Sequence, residues 1–284
     1  MDRFDWLELD STVGVDAKGK REEKAAPAPR IRPHDATSFY RAAKEMRASG
    51  HFKAATDFYR KAVGFDDRHY AARVELIDTL IRAGRLAEAE QAANDAHENY
   101  RMVRSFYASR ALVLAHQGRF NEAMPCSDVS MEGEVRSWYS RCVRGEILLR
   151  MDSAFRFDAL ELFSEATTLT FYPWEPQFLA GWALMDAKLY ALAAAHLAEA
   201  AHLNPRIPLC WLCLGDCFRE LKFFEQAIFY YQRVMELEPT NELAIERQRR
   251  CSTLSYGLMR LFRREDLHRR WRQAFDKNMG IEKE

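Results

Sequence analysis

Cys210, Cys213 and Cys217 are spaced three and four residues apart, which on a helix places all three thiols on one face. Such a face could serve a soft metal. No histidine adjoins them in sequence to complete a tetrahedral set. A buried cysteine also packs as a small apolar side chain, and the structural reading is the one adopted. His51, His69, His97, His116, His196 and His202 fall mostly near expected turns or helix ends and do not cluster with carboxylates. The sequence contains no His-Glu-x-x-His, no Gly-x-Ser-x-Gly and no phosphate-binding glycine loop. No catalytic residue, metal ligand or cofactor is assigned, and the chain reads as a non-enzyme.

The composition points the same way. Lys+Arg and Asp+Glu both number 42 among 284 residues, so a global charge argument for nucleic acid or an acidic membrane surface is missing. No apolar run approaches the roughly 20 residues that span a bilayer. The opening residues 1–10 are acidic and aromatic, unlike the basic and then apolar plan of a signal peptide. Six cysteines without an export signal read as reduced thiols. An intracellular protein is expected, cytoplasmic or associated with a nuclear or other complex.

What must position any binding residues is a repeat. Ala55, Ala89, Ala123, Ala159, Ala193 and Ala227 recur at steps of 34, 34, 36, 34 and 34 residues, and Gly50, Gly84 and Gly118 precede three of them by five. Within residues 208–241, Trp211, Leu214, Gly215 and Phe218 form one helical stripe. Ala227, Ile228, Tyr231, Val234 and Met235 form a second, and Pro239 ends the unit. Each unit is thus two helices joined by a tight turn. Small residues at the crossing let the helices approach closely, and the glycines supply backbone freedom for the turn. Lys188 and Lys222 occupy that turn slot in the fifth and sixth units, implying that a positive φ is not essential there.

Trp211-x2-Leu214-Gly215-x2-Phe218 followed by Ala227, Tyr231 and Pro239 resembles the tetratricopeptide repeat. The resemblance implies an all-α, right-handed α-α superhelix, a solenoid of about six repeats with a C-terminal capping helix. The units fall at about 36–69, 70–103, 104–137, 138–173, 174–207 and 208–241, with two extra residues in the turn of the fourth. The third is the least regular, because Pro125 lies early in its second helix. Residues 35–241 therefore form the array, 242–276 one or two capping helices, and 277–284 a tail.

Residues 1–34 precede the array. Residues 11–34, rich in charge, Ala and Pro, read as a disordered linker. In residues 1–10, Phe4, Trp6, Leu7 and Leu9 alternate with Asp2, Asp5, Glu8 and Asp10. Such a cluster suits a docking peptide, acting on this protein's own groove or on a partner; a strand packed on the first repeat is the plainer alternative. At the other end, Arg263, Arg264, Arg269, Arg270 and Arg272 form a basic patch, read as the solvated face of a capping helix or as a docking surface for an acidic partner or nucleic acid.

In this family the first helices line a concave groove. Three register rows place Tyr40, Val74, Cys142, Phe178 and Leu212, then Lys44, Asp78, Glu146, Trp182 and Asp216, then Arg47, Met185 and Arg219 on it. The family's carboxylate clamp for chaperone tails needs Lys and Asn here, and only Lys44 and Arg47 suit. An apolar floor edged by charge fits an amphipathic helix or extended apolar peptide instead. The expected function is a protein–protein interaction adaptor binding such a partner within a multiprotein complex. Residues 1–10 would be a second contact point or an intramolecular occupant of the groove. The alternative is a nucleic-acid or acidic-partner binder using the C-terminal arginines.

Overall fold

The computed structural model describes residues 13–15, 21–23, 35–132, 136–258 and 273. Six residues of the expected linker are paired strands: β1 (Val13–Val15) runs antiparallel to β2 (Arg21–Glu23), with Val13 opposite Glu23. The remaining described residues are helical apart from turns and short connections, and the protein is an all-α helical repeat. The chain divides into two compact units between Met151 and Asp152.

The first unit stacks α1 (Ala36–Ala48), α2 (Phe52–Phe65), α3 (Tyr70–Arg82), α4 (Leu86–Asn99), α5 (Arg104–His116), α6 (Phe120–Met131) and α7 (Trp138–Met151). The second contains α8 (Arg156–Thr168), α9 (Trp174–Asp186), α10 (Tyr190–Leu203), α11 (Pro208–Glu220), α12 (Phe224–Leu237) and α13 (Glu242–Leu258). Helices α1, α3, α5, α7, α9 and α11 are the first helices of the six units read from the sequence.

Within the units the alanine column lies where paired helices meet, in α1–α2, α3–α4, α5–α6, α9–α10 and α11–α12. Ala55, Ala89, Ala123, Ala159, Ala193 and Ala227 all have zero exposure, which leaves no room for a larger side chain. The facing small residues are equally constrained. A Cβ on Gly181 would come within 2.6 Å of Leu197 Cγ, and one on Gly215 within 2.5 Å of Tyr231 Cε1. Pro125 lies inside α6 without ending it, and Ala123, Ser127 and Ser130 still fill the buried small-residue positions.

Five of the turns share one hydrogen-bonded cap. In the α11–α12 turn, Lys222 N–H donates to Arg219 O at 2.9 Å and Phe223 N–H to Phe218 O at 2.8 Å. The corresponding pairs recur at Gly50, Gly84, Gly118 and Lys188. This is the Schellman arrangement, whose central residue is left-handed. The glycines have φ of 72–83°, and Lys188 and Lys222 have φ of 61° and 67°. The lysines correct the sequence expectation: the turn does require positive φ, and these two side chains accept it. In the fourth unit the two extra residues replace this cap with a 3-10 turn, Ser153–Phe155, in which Asp152 accepts from Ala154 N–H at 2.8 Å. The division between the two units falls at this turn.

Helix α13 packs on α12 as a first helix would. Its buried residues Ala244, Arg247 and Cys251 lie 34 positions after the buried Cys210, Cys213 and Cys217. Helix α13 thus keeps the repeat register.

Candidate functional site

In the first unit, the first-helix rows converge on a ladder of charges. Arg47 on α1 bonds Glu75 and Asp78 on α3. Asp78 also lies 3.4 Å from Arg82 Nε one helical turn on. Arg82 reaches α7, where its two terminal nitrogens donate to Glu146 at 2.6 and 3.2 Å. His116 Nε2 on α5 lies 2.8 Å from the same carboxylate. Asp78, Arg82 and Glu146 are each no more than 3% exposed.

Burial alone would raise the Glu146 carboxyl. The Arg82 guanidinium and the His116 hydrogen bond outweigh it and hold the group down at about 2. Buried ions of this kind persist only when every member has its partner, so the ladder ties α1, α3, α5 and α7 into one arrangement.

At the open end of these rows Tyr40 is half-buried. Its ring is 4.7 Å from that of His69 and 6.0 Å from that of Tyr59, and Lys44 Nζ is 5.8 Å from its centre. Val74 and Arg47 are half-buried too, whereas Cys142 is buried and its thiol is pushed up by burial.

In the second unit, Phe178 and Trp182 meet edge to face at 5.3 Å and 81°. Trp182, Met185 and Leu212 are each 1–2% exposed and Phe178 7%. Asp216 on α11 is 1% exposed and accepts from Tyr231 on α12 at 2.8 Å. It lies 3.2 Å from Arg219 and bonds Arg247 on α13. Burial and the Asp216 charge push the Tyr231 phenol up.

Each unit therefore gathers its own row residues, but Cys142, Phe178, Trp182, Met185 and Leu212 offer almost no area to solvent, and Asp78, Glu146 and Asp216 are engaged internally. Tyr40, Lys44, Arg47, Val74 and Arg219 are the row members left partly accessible.

Arg82, His116 and Arg247 belong to these ladders and were missed in the sequence. Arg82 gave one signal, its i,i+4 spacing from Asp78. The Arg82–Glu146 and Asp216–Arg247 pairs are 64 and 31 residues apart, with no local pattern to reveal them. Cys210, Cys213 and Cys217 are buried, and burial pushes their thiols up. Phe4, Trp6, Leu7 and Leu9 and the patch Arg263, Arg264, Arg269, Arg270 and Arg272 lie outside the described residues.

Two stretches, residues 46–112 and 208–241, match the tetratricopeptide repeat family. The chain is a tetratricopeptide-repeat protein. Solved structures of related architecture include yeast Tom70, with 15% identity and a TM-score of 0.50 over 83% of this chain and 50% of that one. TTC0263, a tetratricopeptide-repeat protein of Thermus thermophilus, has 14% identity and a TM-score of 0.46 over 77% of this chain and 99% of that one. The Cut9–Hcn1 structure of the APC/C has 15% identity and a TM-score of 0.45, with 76% of this chain covering 43% of that chain. These repeats are those of a protein-interaction scaffold. No helix among the described residues is long and apolar enough to cross a membrane.

Beside the sixth repeat lies a concavity of about 480 Å³, bordered by the ends of α10 and α12 and by Trp211. The Trp211 indole stacks on Tyr230 at 6.1 Å and 17°, and its N–H donates to Pro205 O at 2.9 Å. In this chain the repeat's tryptophan thus fastens one repeat to the turn before it.

Proposed function

We propose that this tetratricopeptide-repeat protein is a non-enzymatic adaptor that holds a peptide or amphipathic helix of a partner on its first-helix surface, within a multiprotein complex inside the cell. The observation that carries this reading is the charge ladder from Arg47 through Glu146 to His116, which fixes four first helices and leaves aromatic and cationic groups at its accessible end. Tyr40, Lys44, Arg47 and Val74 in the first unit and Arg219 in the second are the contact residues in this reading. The buried Asp78, Cys142, Glu146, Phe178, Trp182, Met185, Leu212 and Asp216 set the shape beneath them. A fixed backbone with few mobile contact groups lowers the entropy cost of gripping a peptide.

The test is affinity purification of the intact chain beside a Tyr40→Ala/Lys44→Glu variant, with helicity checked by circular dichroism. Loss of the partner in that variant, with binding that survives raised salt, is expected. If binding instead falls steeply with salt and vanishes when Arg263, Arg264, Arg269, Arg270 and Arg272 are neutralised, the partner is nucleic acid or an acidic protein and this reading fails.

A further inference from the structure

The α1–α2 hairpin begins the stack and has no preceding repeat among the described residues. On it, Phe39 lies 6.3 Å from Phe58 and 5.1 Å from Phe65, ring centre to ring centre. Lys61 Nζ lies 5.9 and 5.4 Å from the centres of Phe39 and Phe58. Phe65 is 64% exposed, and Phe39 and Phe58 are only half-buried. A three-ring cluster of this kind on the end of a repeat stack is the place where a capping element belongs, since terminal repeats need their outer apolar surface covered.

The hairpin is also basic. Arg41, Lys44, Arg47, Lys53, Arg60 and Lys61 stand against Glu45 and Asp57 alone. Arg47 and Arg60 reach across to Glu75, Asp78 and Glu88 of the next hairpin. The next hairpin has the opposite balance, with Arg73, Arg82 and Arg85 against Glu75, Asp78, Glu88, Glu90, Asp95 and Glu98. The positive excess is therefore local to the start of the stack.

We propose that residues 1–10 of this same chain cover the Phe39–Phe58–Phe65 patch in cis. The segment is complementary in both respects, with four carboxylates against Arg3 and the apolar Phe4, Trp6, Leu7 and Leu9 between them. It is tethered beside its site, because 24 residues separate it from position 35, where the hairpin's cap begins. A connection of that length spans roughly 25–30 Å at coil dimensions, enough to bring the segment over a hairpin about 20 Å long. Antiparallel pairing of β1 with β2 turns the chain back on itself between residues 13 and 23. The proposal deepens the reading of residues 1–10 as a docking peptide and does not depend on the partner surface at Tyr40 and Lys44.

The test is a photo-cross-linking side chain in the full-length protein, Phe65→benzoylphenylalanine, irradiated at low micromolar concentration and mapped by mass spectrometry. Intramolecular links ending within residues 1–10 are expected. Their yield should fall at least fivefold with Trp6→Ser/Leu7→Ser, and likewise with Lys61→Glu, while circular dichroism is unchanged. The same cross-linker at Met102, 93% exposed in the same unit, should give none. A cross-linked dimer whose yield rises with concentration would make a second copy the occupant and overturn the cis assignment. Links to any other segment, or none, overturn it as well. None of these readouts requires the adaptor's partner, so failure here and failure of the adaptor reading are separate results.

Discussion

Lys188 and Lys222 hold a left-handed backbone that glycine fills in three other turns of the same chain, and replacing them with glycine should stabilise the protein. For an L-residue with a Cβ this conformation costs about 1–2 kcal/mol. Glycine removes that cost but loses about 0.5–1 kcal/mol through its greater freedom in the unfolded chain. The difference is a gain of about 0.5–1 kcal/mol per site. Lys188 and Lys222 lie in separate turns, so Lys188→Gly with Lys222→Gly should add to about 1–2 kcal/mol. For a chain of this size that is a rise in Tm of roughly 2–8 °C by scanning calorimetry. The reverse exchange, Gly84→Ala, should cost about 0.5–1 kcal/mol by the same reasoning. No atom lies within 4 Å of a Cβ built at Gly84 or Gly118, so the loss would be conformational and not steric. Lys222→Ala is the control: it keeps the backbone cost while removing the charged side chain, and it should leave Tm nearly unchanged. If Lys222→Gly lowers Tm while Lys222→Ala also lowers it, the lysine side chain is stabilising the turn and the backbone argument is refuted.

Three further outcomes follow from the packing and the charges. Gly215→Ala should destabilise by about 1–3 kcal/mol in urea titrations despite the better helix propensity of alanine, because the Tyr231 ring it strikes is buried and bonded to Asp216. Glu146→Ala should cost about 3–5 kcal/mol by leaving Arg82 and His116 buried without their carboxylate, and most of the loss should appear in hydrogen exchange of α3, α5 and α7. His196 is held neutral by burial, its pKa lowered from 6.5 to about 4. Its contribution, of order 3 kcal/mol, is present above pH 6.5 and lost as pH falls toward 4, since the unfolded chain binds the proton first. The urea midpoint should drop across that window, and His196→Gln should flatten the drop.

Much of the scaffold was legible because it is encoded in columns. The alanine spacing located both helices of every repeat, and the Pro205 and Pro239 positions marked where units end. The helical glycines were legible as packing residues because they face the alanine column, and Leu197 and Tyr231 do close on them. The lysine turns were misread because a lysine carries no sign of its φ; only the five-fold recurrence of the cap bonds shows that the turn geometry is held in common. The first-helix rows were grouped by register, and register says nothing about depth. Trp182 and Phe178 sit on the expected helix face and are covered all the same, and Asp216 spends its charge on Arg247 from a helix 31 residues away. Ladders of that kind join positions that share no local pattern, and a single sequence gives no means of pairing them.

The register of α13 has a consequence for how this chain can change length. Ala244, Arg247 and Cys251 meet α11 and α12 at positions that repeat the preceding unit, with Asp216 receiving Arg247. A duplicate of residues 208–241 spliced in before Glu242 would offer α13 the same seat it now occupies, including a second copy of Asp216 and Tyr231. Helix α13 is in this sense portable: whole 34-residue cassettes can be added or removed ahead of it without redesigning its seat. The two extra residues at the fourth turn mark the one junction where such a cassette, cut to the common length, would arrive out of phase.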